Sequence, residues 1–215
     1  MKDLVIIGTR GFGRSILEFI KDIREIQGAS RMGYIIKGFL DQTDDYKDLL
    51  TGHKIIGTPE EYIPDKNELF FCAIGACSYK EKIYQRYKDF GSDFITIRHP
   101  SAVIGNNVNL GEGSSVCPNV TLPCDINISD MVAIDMNACV GHDTTIGNFS
   151  TVSPGVTICG NVTIEENVFI GAGATIVSDI VLGAGSIIGA GAVVIKDVPP
   201  KCIVVGNPGR IIKSS

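Results

Sequence analysis

The feature that most constrains this chain of 215 residues is a six-residue repeat in its second half. From Ile104 to Val194 every sixth residue is isoleucine, valine or leucine, which gives sixteen positions without an interruption. An amphipathic helix needs apolar residues about 3.6 residues apart and a half-buried strand needs alternation, so a strict period of six excludes both. The repeating residues are Ile104, Leu110, Val116, Leu122, Ile128, Ile134, Val140, Ile146, Val152, Ile158, Ile164, Ile170, Ile176, Leu182, Ile188 and Val194.

A fixed hexapeptide period is typical of parallel β-helices, in which short strands stack coil upon coil. Three hexapeptides would form one triangular coil of about 18 residues, so residues that far apart should lie above one another. Glycine often follows the aliphatic residue, as at Gly105 and Gly141, and we expect it to let the chain turn each corner. A second, mostly small or β-branched set lies four positions after the first and includes Val120, Val132, Ala138, Val156, Ala174 and Ala192.

The first hundred residues alternate short apolar runs with helical patterns. We predict strands over residues 4–7, 34–40, 54–56, 69–74 and 94–97, and helices over 14–26 and 79–90. Alternating β and α units indicate a small open α/β domain, whose ligands bind beyond the carboxyl ends of the strands. The pair His99-Pro100 interrupts regular structure, so we place the domain boundary between residues 1–98 and 99–215.

Composition narrows the function classes. A net charge of −5 and a pI near 5.2 argue against a nucleic-acid-binding surface, so small molecules are the expected partners. No apolar run reaches membrane-spanning length and no signal-peptide pattern follows Met1, which predicts a cytoplasmic protein without a membrane span. The seven cysteines are odd in number and lack a CxxC pair, so we interpret them as reduced, apolar residues rather than disulfides or metal ligands. No metal site is expected.

A glycine loop joins the first predicted strand to the first helix. Its sequence, Gly8-Thr9-Arg10-Gly11-Phe12-Gly13, departs from a dinucleotide fingerprint because Arg10 takes the place of the middle glycine. The interpretation that survives is a phosphate site made of backbone amides at a helix N-terminus and the Arg10 cation, with a purely structural turn as the alternative. Asp41 and Gly75 follow later strands, and Asp41 is either a ribose or uracil acceptor or a capping residue.

His142 is the candidate catalytic residue of the repeat. It occupies the third position of its hexapeptide, outside the two core positions, so it is either a general base or a surface turn residue. Asp143 could orient the imidazole ring, as the carboxylate of a catalytic triad does. Gly160 lies 18 residues further on, and its backbone N–H could stabilise an oxyanion on a thioester carbonyl.

The repeat ends before Pro199-Pro200, where the prolines are expected to prevent another strand. The apolar segment 202–209, CIVVGNPG, is predicted to form a cap over the last coil.

These residues carry a family resemblance. The segments IGTRGFGRSI, GHDTTIGNFSTVSPGVTICGNVTI and VVIKDVPP with VVGNPGR resemble bacterial hexapeptide-repeat sugar acetyltransferases of the sialic-acid O-acetyltransferase and UDP-4-amino-sugar N-acetyltransferase group. The resemblance covers nearly the whole chain. It implies a Rossmann-like α/β domain followed by a left-handed parallel β-helix, although the general rule for parallel crossovers would predict the opposite hand.

The resemblance also implies site residues and partners. The proteins of this group are homotrimers that bind acetyl-CoA in the groove between adjacent β-helices, with a histidine matching His142 as base and an acidic residue matching Asp143 beside it. A glycine matching Gly160 offers its amide to the thioester, and the pantetheine path would run past Ala172, Gly173 and Ala190. The loop from Gly8 to Gly13 and Asp41 would hold the UDP portion of a nucleotide sugar, although Gln42 stands where relatives often have a second acidic residue.

We therefore predict an acetyl-CoA-dependent enzyme that acetylates an amino or hydroxyl group of a sugar in surface glycan synthesis, and we expect this sugar to be UDP-linked. One alternative is a non-catalytic, trimeric nucleotide-sugar sensor or scaffold. A third hypothesis, an NAD-linked enzyme, is weakened by Arg10 in the glycine loop.

Overall fold

A computed structural model describes residues 1–28, 32–43, 45 and 52–213 of the chain. It divides into two compact units, one formed by Met1–Gly75 with Tyr79–Ile95 and the other by Ala76–Ser78 with Thr96–Ser215. Within the described ranges, neither helix has the length and apolar character needed to cross a membrane.

The first unit contains a five-stranded parallel sheet. Its strands lie in the order β3-β2-β1-β4-β5, so the chain reverses its direction of sheet growth after β3 and returns beside β1. The crevice at the carboxyl ends of β1 and β4 is therefore the place where such sheets bind ligands. The elements are β1 (Lys2–Ile7), α1 (Gly11–Gln27), β2 (Tyr34–Leu40), β3 (Ile55–Gly57), β4 (Glu68–Cys72), α2 (Cys77–Asp89) and β5 (Asp93–Phe94).

Burial explains why these segments form these elements. The central strand β1 is apolar on both faces, and the four residues from Leu4 to Ile7 are fully buried. Helix α1 buries one stripe that includes Ile16, Ile20 and Ile23, as its amphipathic pattern predicts. The glycine loop follows β1 directly, Asp41 follows β2 and Gly75 lies shortly after β4, so all three lie at the carboxyl edge of the sheet.

The second unit is a parallel β-helix. Pairing joins residues 18 apart, as in Ala133 with Thr151 and Cys139 with Thr157, so the predicted coil length is confirmed. Its strands are β6 (Ile97–Arg98), β7 (Val103–Leu110), β8 (Ser115–Val116), β9 (Thr121–Ile128), β10 (Ala133–Ile134), β11 (Cys139–Val140), β12 (Thr145–Ile146), β13 (Thr151–Val152), β14 (Thr157–Ile158), β15 (Thr163–Ile164), β16 (Phe169–Ile170), β17 (Thr175–Ile176), β18 (Val181–Leu182), β19 (Ile187–Ile188), β20 (Val193–Val194), β21 (Ile203–Val205) and β22 (Arg210–Lys213).

The repeated aliphatic residues fill the interior of the β-helix. Fourteen of the sixteen, from Val116 to Val194, are at most 2% exposed, whereas Ile104 and Leu110 are half-buried in the outermost strand β7. The second set, which includes Val120, Ala138 and Ala174, is equally buried. Three of these residues, six apart in sequence, thus form the core layer of each 18-residue coil.

The corners depend on a residue that the sequence pattern did not single out. From Asn107 to Gly191 every sixth residue has a positive φ, between 54° and 68°, three positions after the aliphatic residue. Thirteen of these fifteen are asparagine, aspartate or glycine, the residues that adopt the left-handed conformation most readily, and the exceptions are Met131 and Phe149.

The role predicted for the glycine directly after the aliphatic residue was wrong. Gly105 and Gly141 do not have positive φ, and neither turns the corner. A Cβ on Gly105 would lie 1.6 Å from the carbonyl oxygen of Pro123, and one on Gly141 would lie 2.5 Å from the backbone of Cys159. Glycine is needed there because the backbone of the next coil passes too close for a side chain.

The predicted strand over 94–97 is two separate strands. Asp93–Phe94 belongs to the α/β sheet as β5, whereas Ile97–Arg98 is β6, which pairs with β8 of the β-helix. The β-helix therefore begins one hexapeptide before the aliphatic repeat. The sequence pattern did not predict this strand because Arg98 occupies the position of the aliphatic residue.

The prediction that no strand follows the prolines was also wrong. After Pro200 the strand β21 pairs in parallel with β19, with Ile187 opposite Ile203, so this last coil is two residues shorter than the others. Strand β22 then runs antiparallel to β21. The predicted cap over 202–209 is thus one further strand and a turn, and β22 covers the outer edge of β21.

Candidate active site

The corner between β11 and β12 brings His142 and Asp143 together. The left-handed φ of 56° at Asp143 turns its side chain back toward the preceding residue. Its Oδ2 lies 2.7 Å from Nδ1 of His142, and the two side chains are 62% and 61% exposed. A carboxylate only accepts hydrogen bonds, so Nδ1 is the donor, and in a neutral imidazole Nε2 then carries the lone pair that can take up a proton.

Gly160 lies under the imidazole ring, as the 18-residue coil predicted. A Cβ at this position would be 2.8 Å from both Cε1 and Nε2 of His142, so glycine leaves the space that the ring occupies. The neighbouring amide of Asn161 donates to the carbonyl oxygen of His142 at 2.8 Å and fixes the two corners to each other. In the described part of the chain, the Gly160 amide donates no hydrogen bond and can serve a bound carbonyl oxygen.

Asp125, on the coil before His142, adds a second carboxylate that sequence reasoning missed. Hydrogen bonds from Asn107 and Cys124, with the field of His142, lower the pKa of Asp125 despite a small opposing effect of desolvation. The distance from Asn107 Nδ2 to Asp125 Oδ1 is 2.9 Å. The 18-residue spacing between Asp125 and Asp143 was the signal that would have identified it.

The residues predicted for the pantetheine path lie at another corner of the coil. Ala172 and Ala190 are 18 residues apart and stack in the corners that follow β16 and β19, while His142 and Gly160 lie in the corners that follow β11 and β14. Ala172, Gly173 and Ala190 are all exposed. The structure therefore brings together the members of each group, but within one chain it does not bring the two groups to the same corner.

In the first unit, the glycine loop wraps tightly around its own backbone. Gly8 has a φ of 105°, and a Cβ on Gly13 would lie 2.0 Å from the carbonyl oxygen of Gly8. By contrast, a Cβ on Gly11 or Gly75 would meet nothing within 4 Å. Gly8 and Gly13 therefore shape the loop, whereas Gly11 and Gly75 leave open space at the carboxyl edge.

The start of α1 is open to an anion. Arg10 is the N-cap residue, but its side chain caps no backbone amide, and no acidic residue stands in the first turn. Phe12 is half-buried and Arg10 is exposed. The positive end of the helix dipole lies at this open turn, and the phosphate site at the glycine loop stays a prediction.

Asp41 is engaged by its own chain. Its Oδ2 accepts hydrogen bonds from the amide of Thr9 at 2.8 Å and the hydroxyl of Thr9 at 2.5 Å, and its Oδ1 accepts from the amide of Gln42 at 2.7 Å. Asp41 thereby ties the glycine loop to the end of β2. Thr9, which is fully buried, is the partner that the sequence did not identify.

A polar cluster beside Asp41 was also missed. Glu60 Oε1 accepts from the hydroxyl of Tyr79 at 2.6 Å and from Nε2 of Gln42 at 2.9 Å. Burial opposes ionisation of Glu60, but these bonds and its own amide outweigh it and lower the pKa of that carboxyl. Burial, followed by the bond to Glu60, raises the pKa of Tyr79. The three residues are far apart in sequence and have no spacing that would reveal the cluster.

Comparisons with known proteins follow the same division of the chain. Residues 3–87 match the PglD N-terminal domain, and residues 161–196 match the bacterial transferase hexapeptide repeats. The UDP-N-acetylbacillosamine N-acetyltransferase of Bacillus subtilis is 31% identical over 117 residues, which cover 54% of this chain and 51% of that protein. The match thus spans about half the length of this curated relative.

Solved structures match over almost the whole chain. The acetyltransferase domain of PglB from Neisseria gonorrhoeae is 26% identical, with a TM-score of 0.87 and coverage of 99% of this chain and 100% of that one. WeeI from Acinetobacter baumannii is 29% identical, with a TM-score of 0.85 and coverage of 99% and 100%. PerB from Caulobacter crescentus, solved with CoA and GDP-perosamine, is 28% identical, with a TM-score of 0.87 and coverage of 99% and 98%. The predicted fold class, with its left-handed β-helix, is confirmed.

Proposed function

We propose that this chain, which is similar in sequence and fold to hexapeptide-repeat sugar acetyltransferases, transfers an acetyl group from acetyl-CoA to an amino group of a UDP-linked sugar in surface glycan synthesis. The observation that carries the proposal is the hydrogen bond between His142 and Asp143, next to Gly160, whose backbone N–H donates no hydrogen bond within the described residues. The amino acceptor is favoured over a hydroxyl because relatives are named as N-acetyltransferases. Acetyl-CoA is proposed as the acetyl donor because PerB is solved with CoA and the PglB domain with acetyl coenzyme A.

The chemistry follows from the geometry. The amine nitrogen attacks the thioester carbonyl carbon, a C–N bond forms, and the carbonyl oxygen takes up negative charge. The Gly160 amide stabilises that charge, while Nε2 of His142 accepts a proton from the nitrogen and Asp143 stabilises the imidazolium. The tetrahedral intermediate then breaks its C–S bond, and CoA leaves as the thiolate.

The β-helix acts as a homotrimer in this proposal. The corner with His142 and the corner with Ala172 and Ala190 are separated within one chain, and a groove between two adjacent β-helices would combine one of each. The sugar nucleotide is held by the first unit, with its phosphates at the glycine loop and the open start of α1. All seven cysteines carry thiol groups that are not joined in disulfides, which suits a cytoplasmic location.

The test is acetyl transfer itself. We expect thiol release from acetyl-CoA in the presence of UDP-linked amino sugars, with the acetylated product identified by mass spectrometry. His142→Ala should lower kcat by roughly 10²-fold or more, the contribution of a general base, and leave the assembly unchanged. Asn106→Ala, at the same coil position two coils earlier, is the matched control and should keep full activity.

Two outcomes would contradict the proposal. Turnover by His142→Ala close to that of the unaltered protein would remove this residue from the mechanism. Absence of both CoA binding by calorimetry and thiol release across the sugar panel would favour the non-catalytic scaffold, although the retained pair of His142 and Asp143 argues against it.

A further inference from the structure

The cluster of Gln42, Glu60 and Tyr79 is built from segments that follow three different strands of the first unit. Gln42 lies after β2, Glu60 after β3 and Tyr79 within α2, which follows β4. The bonds from Tyr79 and Gln42 to Glu60 join these segments across the carboxyl edge of the sheet. A third contact, 3.4 Å from Gln42 Nε2 to the Tyr79 hydroxyl, closes the cluster.

The cluster fixes which way the Gln42 amide points. Glu60 is held in its ionised form, and a carboxylate can only accept, so the NH2 group of Gln42 must face it. The carbonyl oxygen Oε1 of Gln42 then faces away from Glu60. No donor among the described residues reaches Oε1, and the Gln42 side chain is exposed.

Asp41, the acceptor that the sequence suggested for a ribose or a uracil, already receives three hydrogen bonds from Thr9 and Gln42. The Asp41 carboxylate is therefore engaged mainly in holding the glycine loop, through Thr9. Gln42 Oε1 is therefore an acceptor that this edge offers to a ligand, and Glu60 and Tyr79 hold the Gln42 side chain in place.

We propose that Gln42 Oε1 determines nucleobase specificity by accepting the ring N–H of a base of the uracil type. Uracil carries a proton on N3, whereas cytosine has an unprotonated N3 that would face the Gln42 oxygen acceptor to acceptor. Sites built to accept a ligand N–H discriminate against analogues that lack it. The inference rests on the proposed function, because it assumes that the acceptor sugar is nucleotide-linked.

The experiment compares UDP with CDP by calorimetry on the full-length protein. The two nucleotides share ribose and diphosphate, so the glycine loop contributes equally to both and only the base differs. We expect UDP to bind roughly 3- to 10-fold more tightly than CDP, the worth of about one hydrogen bond.

Variants identify the group responsible. Gln42→Ala should abolish the preference for UDP, whereas Gln85→Ala, an exposed glutamine on α2, is the matched control and should keep it. Glu60→Gln should also weaken the preference although Gln42 is intact, because a neutral amide at position 60 no longer forces the Gln42 NH2 group toward it. Thermal unfolding of each variant separates this effect from a loss of folding.

Equal binding of UDP and CDP by the unaltered protein would overturn the inference and leave the acetyltransferase proposal standing. Persistence of the preference in folded Gln42→Ala would overturn it as well. Failure of both nucleotides to bind, with acetyl transfer to a sugar that carries no nucleotide, would instead contradict the nucleotide-linked acceptor and the inference together.

Discussion

The lack of a side chain at Gly160 determines where the imidazole ring of His142, the proposed base, can lie. The imidazole ring occupies the space where a Cβ on Gly160 would stand, 2.8 Å from Nε2. The ring is largely exposed, so it can move aside if that space is filled. The consequence is that position 160 controls where the lone pair of Nε2 points.

Gly160→Ala should therefore displace the base without unfolding the protein. We expect kcat to fall by about 10²-fold, since a misplacement of about 1 Å in a catalytic constellation has this cost, while the thermal midpoint changes little. Steady-state kinetics and differential scanning calorimetry measure the two effects. Ser178→Ala, the next residue of the same column, should alter neither. A variant with unchanged kcat would mean that the ring position is irrelevant to turnover.

Single residues also mark the limit of sequence reasoning. The pairing of His142 with Gly160 could be predicted because a strict period converts sequence distance into spatial distance. No such rule connects Gln42, Glu60 and Tyr79, which meet only because two loops and the start of α2 lie at one sheet edge. The role of Asp41 was left open for the same reason, since its partner Thr9 is adjacent to it only after folding.

At the scale of elements, the glycine loop is a packed turn whose two ends touch. The Gly13 Cα faces the carbonyl oxygen of Gly8 at the first turn of α1, and a Cβ there would lie 2.0 Å from that oxygen. Gly11, two residues earlier in the same helical turn, faces open space. The two glycines look equivalent in the sequence, but only position 13 lacks the space for a side chain.

Gly13→Ala and Gly11→Ala are expected to have opposite effects on stability. Gly13→Ala must push β1 and α1 apart and should lower the free energy of unfolding by about 1–3 kcal/mol or more, the usual cost of overpacking. Gly11→Ala should be neutral or raise it by up to about 1 kcal/mol, since alanine favours a helix over glycine. Urea unfolding monitored by circular dichroism makes the comparison. A similar loss of stability in both variants would show that the loop does not pack as described.

The β-helix elements show why its core was predictable and its ends were not. Inside the repeat, three aliphatic residues per coil fill one core layer, and the six-residue period shows this directly in the sequence. At the ends the layer is incomplete, so Arg98 can replace an aliphatic residue in β6, and the coil before β21 can shorten by two residues. The left-handed corner residues were a usable signal, because asparagine, aspartate and glycine recur three positions after the aliphatic residue.

For the whole molecule, the separation of two corners is the reason why the proposed function includes a homotrimer. His142 and the stack of Ala172 and Ala190 follow different strands of the coil, so the proposed groove that uses both would combine two chains. With a chain mass of 23.0 kDa, a trimer would have three times that mass. Analytical ultracentrifugation measures the mass of the assembly, and we expect the mass of the trimer.

Mixed trimers test the shared groove. His142→Ala lacks the base, and Ala190→Trp should block the exposed stack at the other corner, so each variant alone should be inactive. After unfolding and refolding together in equal amounts, roughly a quarter of the interfaces should combine two intact corners and recover activity in proportion. No recovery, with mixed trimers verified by mass spectrometry, would place the complete site within one chain.

The reversal of direction at β22 limits how far this architecture can grow. Each coil offers the next one a parallel row of backbone N–H and C=O groups, and an uncovered last coil would offer the same row to any other copy of the chain. Strand β22 pairs antiparallel with β21 and carries Arg210 and Lys213 at its two ends. Charged edge strands resist strand addition. We therefore expect β22 to keep the repeat from propagating into a fibre.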